Sequence, residues 1–102
     1  MSHQPLPAEP TRQLEDDKVI VTRWDFAPGA ETGWHRHPHD YVVVPLVDGV
    51  MRLQTPEGDH ESEVKAGVSY RRQAGVEHNV INAGEGQFAF VEIELKASRE
   101  EK

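Results

Sequence analysis

The chain has no cysteine. That excludes disulfides, thiolate zinc sites and thiol catalysis, and it fits a reducing compartment, so a cytoplasmic location is expected. Long apolar runs are missing too. The longest, Tyr41 to Val47, is seven residues with a proline inside it, whereas a spanning helix needs roughly twenty. Positive charge is scarce: Lys and Arg total 11 against 18 Asp and Glu, a net charge of −7. Little is left to neutralise a run of phosphates or to adsorb to an anionic bilayer, so neither nucleic acid nor membrane is an expected partner. Pro5, Pro7, Glu9 and Pro10 stand where a secretory leader would be apolar, and none is expected. Hydrophobic residues are only 36% of the total, below the roughly 45–50% usual in globular domains. A chain of 102 residues makes one domain, and it buries only about two-thirds of its surface unaided. A partner subunit, a bound ion or both are expected to supply the missing stabilisation.

What is present begins with a polar, proline-rich stretch, residues 1–16, which reads as a flexible arm or an edge strand in an oligomer. From residue 17 to residue 96 short β-like runs alternate with turn residues. Strands are expected at Lys18–Phe26, Tyr41–Val47, Val50–Thr55, Glu61–Lys65, Val68–Arg72, His78–Asn82 and Phe88–Lys96, with an eighth around the His35-Arg36-His37 segment. Gly or Pro punctuates the junctions, and Asp48-Gly49 is a hairpin-type dipeptide. No amphipathic helix interrupts the pattern. Many short strands at close spacing mean an all-β sandwich or small antiparallel barrel. Residues 97–102 form a charged tail. In the last strand, period-two alternation puts Ala89, Val91, Ile93 and Leu95 on one face, read as core. Phe88, Phe90, Glu92 and Glu94 fall on the other; the two aromatics read as covering a second sheet or a subunit contact, with the contact favoured, and the two glutamates as solvated or, in second place, as a replacement carboxylate.

Histidine is the abundant functional residue, with six in the chain. His35 and His37 form an H-x-H pair; on a strand such residues share a face about 6.6 Å apart, and their imidazoles can converge on one ion. His78, on a later strand, is available as a third ligand from across the interior. His3 and His60 read as solvent-exposed. His39 shares the parity of the pair, but Pro38 restricts the backbone between them. It reads as a pocket acid or base, an exposed loop residue or a fourth ligand. Tyr41 faces inward on parity, either as a core aromatic whose hydroxyl finds a partner or as a donor to a bound anion or metal-bound water. Asn82 reads as tying down a turn. Of the strand arginines Arg23, Arg36, Arg52, Arg71 and Arg72, one facing inward would grip a substrate carboxylate. The spacing does not say which.

The framing of these histidines resembles a known signature. Gly29, five residues, His35, one residue, His37 and then Gly49 are followed by Gly67, five residues, Gln73, one residue, Gly75, two residues, His78, three residues and Asn82. The two blocks resemble the paired motifs of the cupin superfamily, G-x5-H-x-H-x3/4-E-x6-G and G-x5-P-x-G-x2-H-x3-N. The longer strings GWHRHPHDYVVVPLVDG, GVSYRRQAGVEHNVIN and FAFVEIELK are similar to single-domain cupins associated with β-alanine degradation. Two positions depart from the pattern. Tyr41 and Val42 stand where the first block has its glutamate, and Gln73 replaces the proline of the second.

The resemblance implies a jelly roll over residues 17–96 and a mononuclear divalent metal held by His35, His37 and His78. Three neutral imidazoles suit ferrous iron, as in thiol dioxygenases, and also zinc, nickel, copper or manganese. Three ligands leave positions open for water or substrate, the arrangement that catalysis needs. The implied function is a metal-dependent enzyme acting on a small carboxylate or amino-acid-like metabolite, with His39 or Tyr41 managing protons or orienting the bound group. A binding or sensing module with a metal anchor is the alternative, and a barrel with a vestigial site is a third reading. A homodimer is expected.

Overall fold

The computed structural model describes residues 6–96. The expected charged tail at 97–102 and His3 lie outside the described residues. Eleven strands follow in order: β1 Leu6–Pro7, β2 Glu9–Glu15, β3 Val19–Phe26, β4 Ala30–Glu31, β5 His35–Arg36, β6 Asp40–Pro45, β7 Gly49–Thr55, β8 Gly58–Val64, β9 Tyr70–Arg72, β10 Glu77–Asn82 and β11 Phe88–Leu95. They build two facing sheets. One runs β1-β4-β10-β7-β8, with β5 also paired to β10, and the other runs β2-β3-β11-β6-β9. Every pairing is antiparallel except the two-residue β1–β4 contact. This is the all-β sandwich that the strand spacing predicts and the jelly roll that the resemblance implies. No helix among the described residues is long and apolar enough to cross a membrane.

Alternation decides which side chains enter the space between the sheets. On β6, Tyr41, Val43 and Pro45 are buried while Val42 and Val44 are half-exposed, the period-two pattern of a strand with one wet face. Met51 and Leu53 of β7 and Val80 of β10 close the core from the opposite sheet. Asn82 is buried and binds its turn as expected. Its Nδ2 donates to the carbonyls of Phe26, Ala27 and Gly86 at 3.3, 3.2 and 2.9 Å, and its Oδ1 accepts from Gly84 N–H at 3.0 Å.

β11 faces the opposite way from the sequence reading. Phe88, Phe90 and Glu92 are 2%, 3% and 7% exposed, whereas Val91, Ile93 and Leu95 are half-exposed on the outside. The reason is volume. Phe26, Phe88 and Phe90 pack with ring centroids 5.3–5.9 Å apart, and these three rings supply core mass that few other residues of the chain can supply. Phe88 and Phe90 are therefore core residues and not a subunit contact.

Of the two readings of the N-terminal segment, flexible arm or edge strand, the described part is strand, and β2 is an edge of the five-stranded sheet. Residues 6–15 form β1 and β2, and β2 pairs along β3 from Glu9↔Asp25 to Glu15↔Ile20, with a register shift between Arg12 and Leu14. Every side chain of β2 is exposed, so its sequence carries no hydrophobic period to announce a strand. Asp48-Gly49, read as a hairpin-type dipeptide, closes no hairpin, because β6 and β7 lie in different sheets, and Gly49 is not among the positive-φ glycines. Its smallness serves packing: a Cβ there would stand 2.4 Å from Phe88 Cδ1.

Candidate metal centre

His35 lies on β5, which is hydrogen-bonded to β10, and the register sets His35 directly opposite His78. The two histidines are thus neighbours in one sheet and do not meet across the interior as expected. His37 lies just past β5. Its N–H donates to Val76 O at 2.9 Å and its carbonyl accepts from Gly75 N–H at 2.8 Å, which holds the bend against the start of β10. Gly75 has φ +95°, a conformation that favours glycine.

The three rings converge. His35 Nε2 and His37 Nε2 are 2.9 Å apart, and His37 Nε2 and His78 Nε2 are 3.2 Å apart. Two ligands bound about 2.1 Å from one cation stand roughly 3.0 Å apart at a right angle and roughly 3.4 Å apart at the tetrahedral angle. The separations fit that range. Protonation fits as well. His35 Nδ1 lies 2.8 Å from Gly33 O. A carbonyl only accepts, so Nδ1 carries the hydrogen and Nε2 turns a lone pair inward. Burial, reinforced by His35 and His78, pulls His37 down to about 3. Burial, with His35 and Arg72, pulls His78 down to about 4. Both rings are neutral at pH 7, and converging neutral imidazoles suit a cation.

A buried polar chain fixes this geometry. Asn79 Oδ1 accepts from Gly33 N–H at 2.8 Å, and Asn79 Nδ2 donates to Glu31 Oε1 at 2.8 Å and Gln54 Oε1 at 2.9 Å. Gly33 in turn orients His35. Sequence reasoning missed Asn79, although its place beside His78 on β10 was a signal.

The opposite sheet completes the site. Tyr41 is 1% exposed and stacks on His37, with centroids 3.9 Å apart and planes at 22°. Its hydroxyl is buried with no hydrogen-bond partner among the described residues. Desolvation and the nearby Glu92 push its ionisation up, so it stays a neutral donor. Glu92, expected on a solvated face, is buried with Oε2 3.8 Å from His37 Nε2. A histidine with a pKa near 3 is uncharged at neutral pH, so this contact is not an ion pair. Desolvation, then repulsion from Glu94, raises the Glu92 carboxyl to about 7, and hydrogen bonding from Trp24 offsets part of that rise. Ligand atoms of His37, Glu92 and Glu94 form a second group within 4.8 Å of one another.

His39 is half-buried on the bend after Pro38 and joins neither group among the described residues. His60 is exposed on β8, as expected. Of the arginines, Arg72 lines a small interior cavity with Tyr41, Tyr70, His78 and Glu92.

The Cupin domain family model matches residues 22–94. The chain is 60% identical over 96 residues to the beta-alanine degradation protein BauB of Pseudomonas aeruginosa, covering 94% of this chain and 100% of that protein. A crystal structure of a cupin domain from Bordetella pertussis Tohama I superposes with a TM-score of 0.92 at 54% identity, over 94% of this chain and 100% of that one. An RmlC-like cupin family protein with a double-stranded β-helix fold from Methanocaldococcus jannaschii shares the fold at a TM-score of 0.73 and 12% identity, over 94% and 86% of the two chains. The paired glycine–histidine blocks, the two-sheet roll and these likenesses agree: the chain belongs to the cupin family.

Proposed function

We propose that the protein is a metal-dependent enzyme acting on a small carboxylate or amino-acid-like metabolite. The observation that carries this reading is the convergence of His35, His37 and His78, with neighbouring Nε2 atoms 2.9 and 3.2 Å apart. These three residues would hold a divalent ion, whether iron, zinc, nickel or manganese. Bound there, the ion would supply Lewis-acid activation or, if ferrous, dioxygen chemistry.

The chain's own residues do the rest. Gly33 O and Asn79 hold the His35 ring in one tautomer and orientation. Tyr41 covers His37 and presents a neutral hydroxyl donor. His39, on the bend beside this group, is the proton-handling candidate. The buried aliphatic wall of Val43, Met51, Leu53 and Val80 keeps bulk water out. BauB's name associates that relative with β-alanine degradation, and a role in the same process is proposed here. The reading includes a cytoplasmic homodimer.

A non-enzymatic ligand-binding module with a metal anchor is the second reading. The observation in its favour is the tight interior, a cavity of about 20 Å3 beside His78, roughly the room of one water.

Metal analysis of tag-free protein tests the site. About one divalent ion per chain is expected, lost in His78→Ala and kept in His60→Ala. Equal retention in both variants would overturn the ligand assignment. Oxygen uptake after anaerobic ferrous loading, over a panel of small carboxylates and amino acids, then separates the two readings. Turnover with any member supports the enzyme. Saturable binding without turnover under any metal supports the module.

A further inference from the structure

Tyr41 and Arg72 are cross-strand partners on β6 and β9, and both line the cavity beside His78. Each lacks what its chemistry demands. The Tyr41 hydroxyl is buried without a partner among the described residues, a condition that costs on the order of 1–3 kcal/mol unless a guest relieves it. Arg12, Arg23, Arg52 and Arg71 each pair with a carboxylate. Among the described residues Arg36 and Arg72 do not, and Arg36 stands in solvent while Arg72 is half-buried. The Arg72 guanidinium lies 5.6 Å from the centroid of the Tyr70 ring, which holds it in place. Register sets Arg72 directly opposite Tyr41, and both share the cavity wall with His78.

Tyr70 and Arg72 also wall an open groove of about 420 Å3 between β8 and β9, where Ser62, Glu63, Lys65, Ser69 and Arg71 contribute polar atoms. The pair therefore lines both the groove and the interior cavity. The inner cavity of about 20 Å3 has room for about one water-sized group, so a carboxylate would place one oxygen there and leave the body of the molecule in the groove. Glu92 faces the same cavity. Its Oε2 lies 3.8 Å from His37 Nε2, and among the described residues it makes no ion pair with Arg72.

We propose that Arg72 and the Tyr41 hydroxyl form a carboxylate anchor: a small organic acid places its carboxylate between them, beside His78, and extends into the β8–β9 groove. A guanidinium fork matches a carboxylate with two parallel hydrogen bonds, and the phenol adds a third donor. This rests on the reading of the three histidines as a metal centre that receives a small ligand, and it names the group that fixes the ligand's orientation.

The test is calorimetric titration of metal-loaded protein with propionate and with its neutral analogue propionamide, recording metal content for every variant. Propionate is expected to bind at least about tenfold more tightly than propionamide. Arg72→Met is expected to weaken propionate about 10- to 100-fold and Tyr41→Phe about 3- to 10-fold, with metal content unchanged. Arg72→Lys keeps the charge but loses the fork, so an intermediate affinity is expected. Arg52→Met, on the exposed face of β7, is expected to bind as the parent does. Equal binding of propionate and propionamide, undiminished binding in a metal-replete Arg72→Met variant, or no saturable binding of propionate would each overturn the anchor. Failure of the parent protein to retain any divalent ion on loading, together with Arg72-dependent binding of propionate, would overturn the metal-centre reading and leave the anchor standing.

Discussion

Glu92 and the histidines beside it pull the stability of the metal-free protein in opposite directions with pH. The Glu92 carboxyl rises from its ordinary 4.5 to about 7 on folding. Below 4.5 both folded and unfolded chains hold its proton. Between 4.5 and 7 only the folded chain does, so this contribution is lost as pH rises through about 7. His37 and His78 fall from 6.5 to about 3 and about 4. Their contribution is full above 6.5 and is lost as pH falls towards those lower values. Glu92→Gln removes only the first effect. The metal-free variant should therefore gain stability over its parent at pH 8 relative to pH 5, on the order of 2–3 kcal/mol. Urea unfolding at the two pH values measures this, and an equal difference at both would show that Glu92 is not desolvated as described. That His35 and His37 share a face was legible from spacing and the inward side of Tyr41 from parity, while the grouping of both histidines with His78 came from the resemblance. Glu92 was not legible, because alternation assigns residues to two faces without saying which is inside. Arg72 was hidden for the same reason: Arg71 and Arg72 are adjacent, and only the pairing of β9 with β6 turns Arg72 inward.

Strand boundaries were readable wherever one face is apolar. β3, β6, β7, β10 and β11 lie within a few residues of their predicted spans because core pressure writes a period of two into them. β1 and β4 have two residues each, too few for a period, and β2 has no buried side chain to produce one. At the β6–β7 junction the Asp48-Gly49 dipeptide announced a turn, but the structural demand on Gly49 is space. An added methyl would meet Phe88 Cδ1 at 2.4 Å and Cε1 at 2.6 Å. Phe88 is 2% exposed and packed against Phe26 and Phe90, so its ring has little freedom to retreat. Gly49→Ala should cost about 1–3 kcal/mol by overpacking, measured as a lower urea midpoint. An unchanged midpoint would mean that the ring moves freely.

Across the whole molecule the misassigned face of β11 acquires a different use. Ile93 stands in register with Val21 of β3 and Val42 of β6, and Leu95 with Val19. Together they make an aliphatic surface over the outside of the five-stranded sheet, with no helix above it among the described residues. Such a face is where the proposed homodimer would form. Ile93→Glu should shift the light-scattering mass from dimer to monomer at micromolar concentration while leaving metal content intact. A dimer mass that survives this change would place the contact elsewhere, and a monomeric parent would end the proposal.

The pairing of His35 with His78 joins positions far apart along the backbone through a strand of only two residues. An ion gripped by both would act as a staple, closing a long loop that the unfolded chain would otherwise leave open. Occupancy would then be worth as much to the architecture as to the chemistry, and starvation for the metal would loosen the very corner of the roll that has to recapture it.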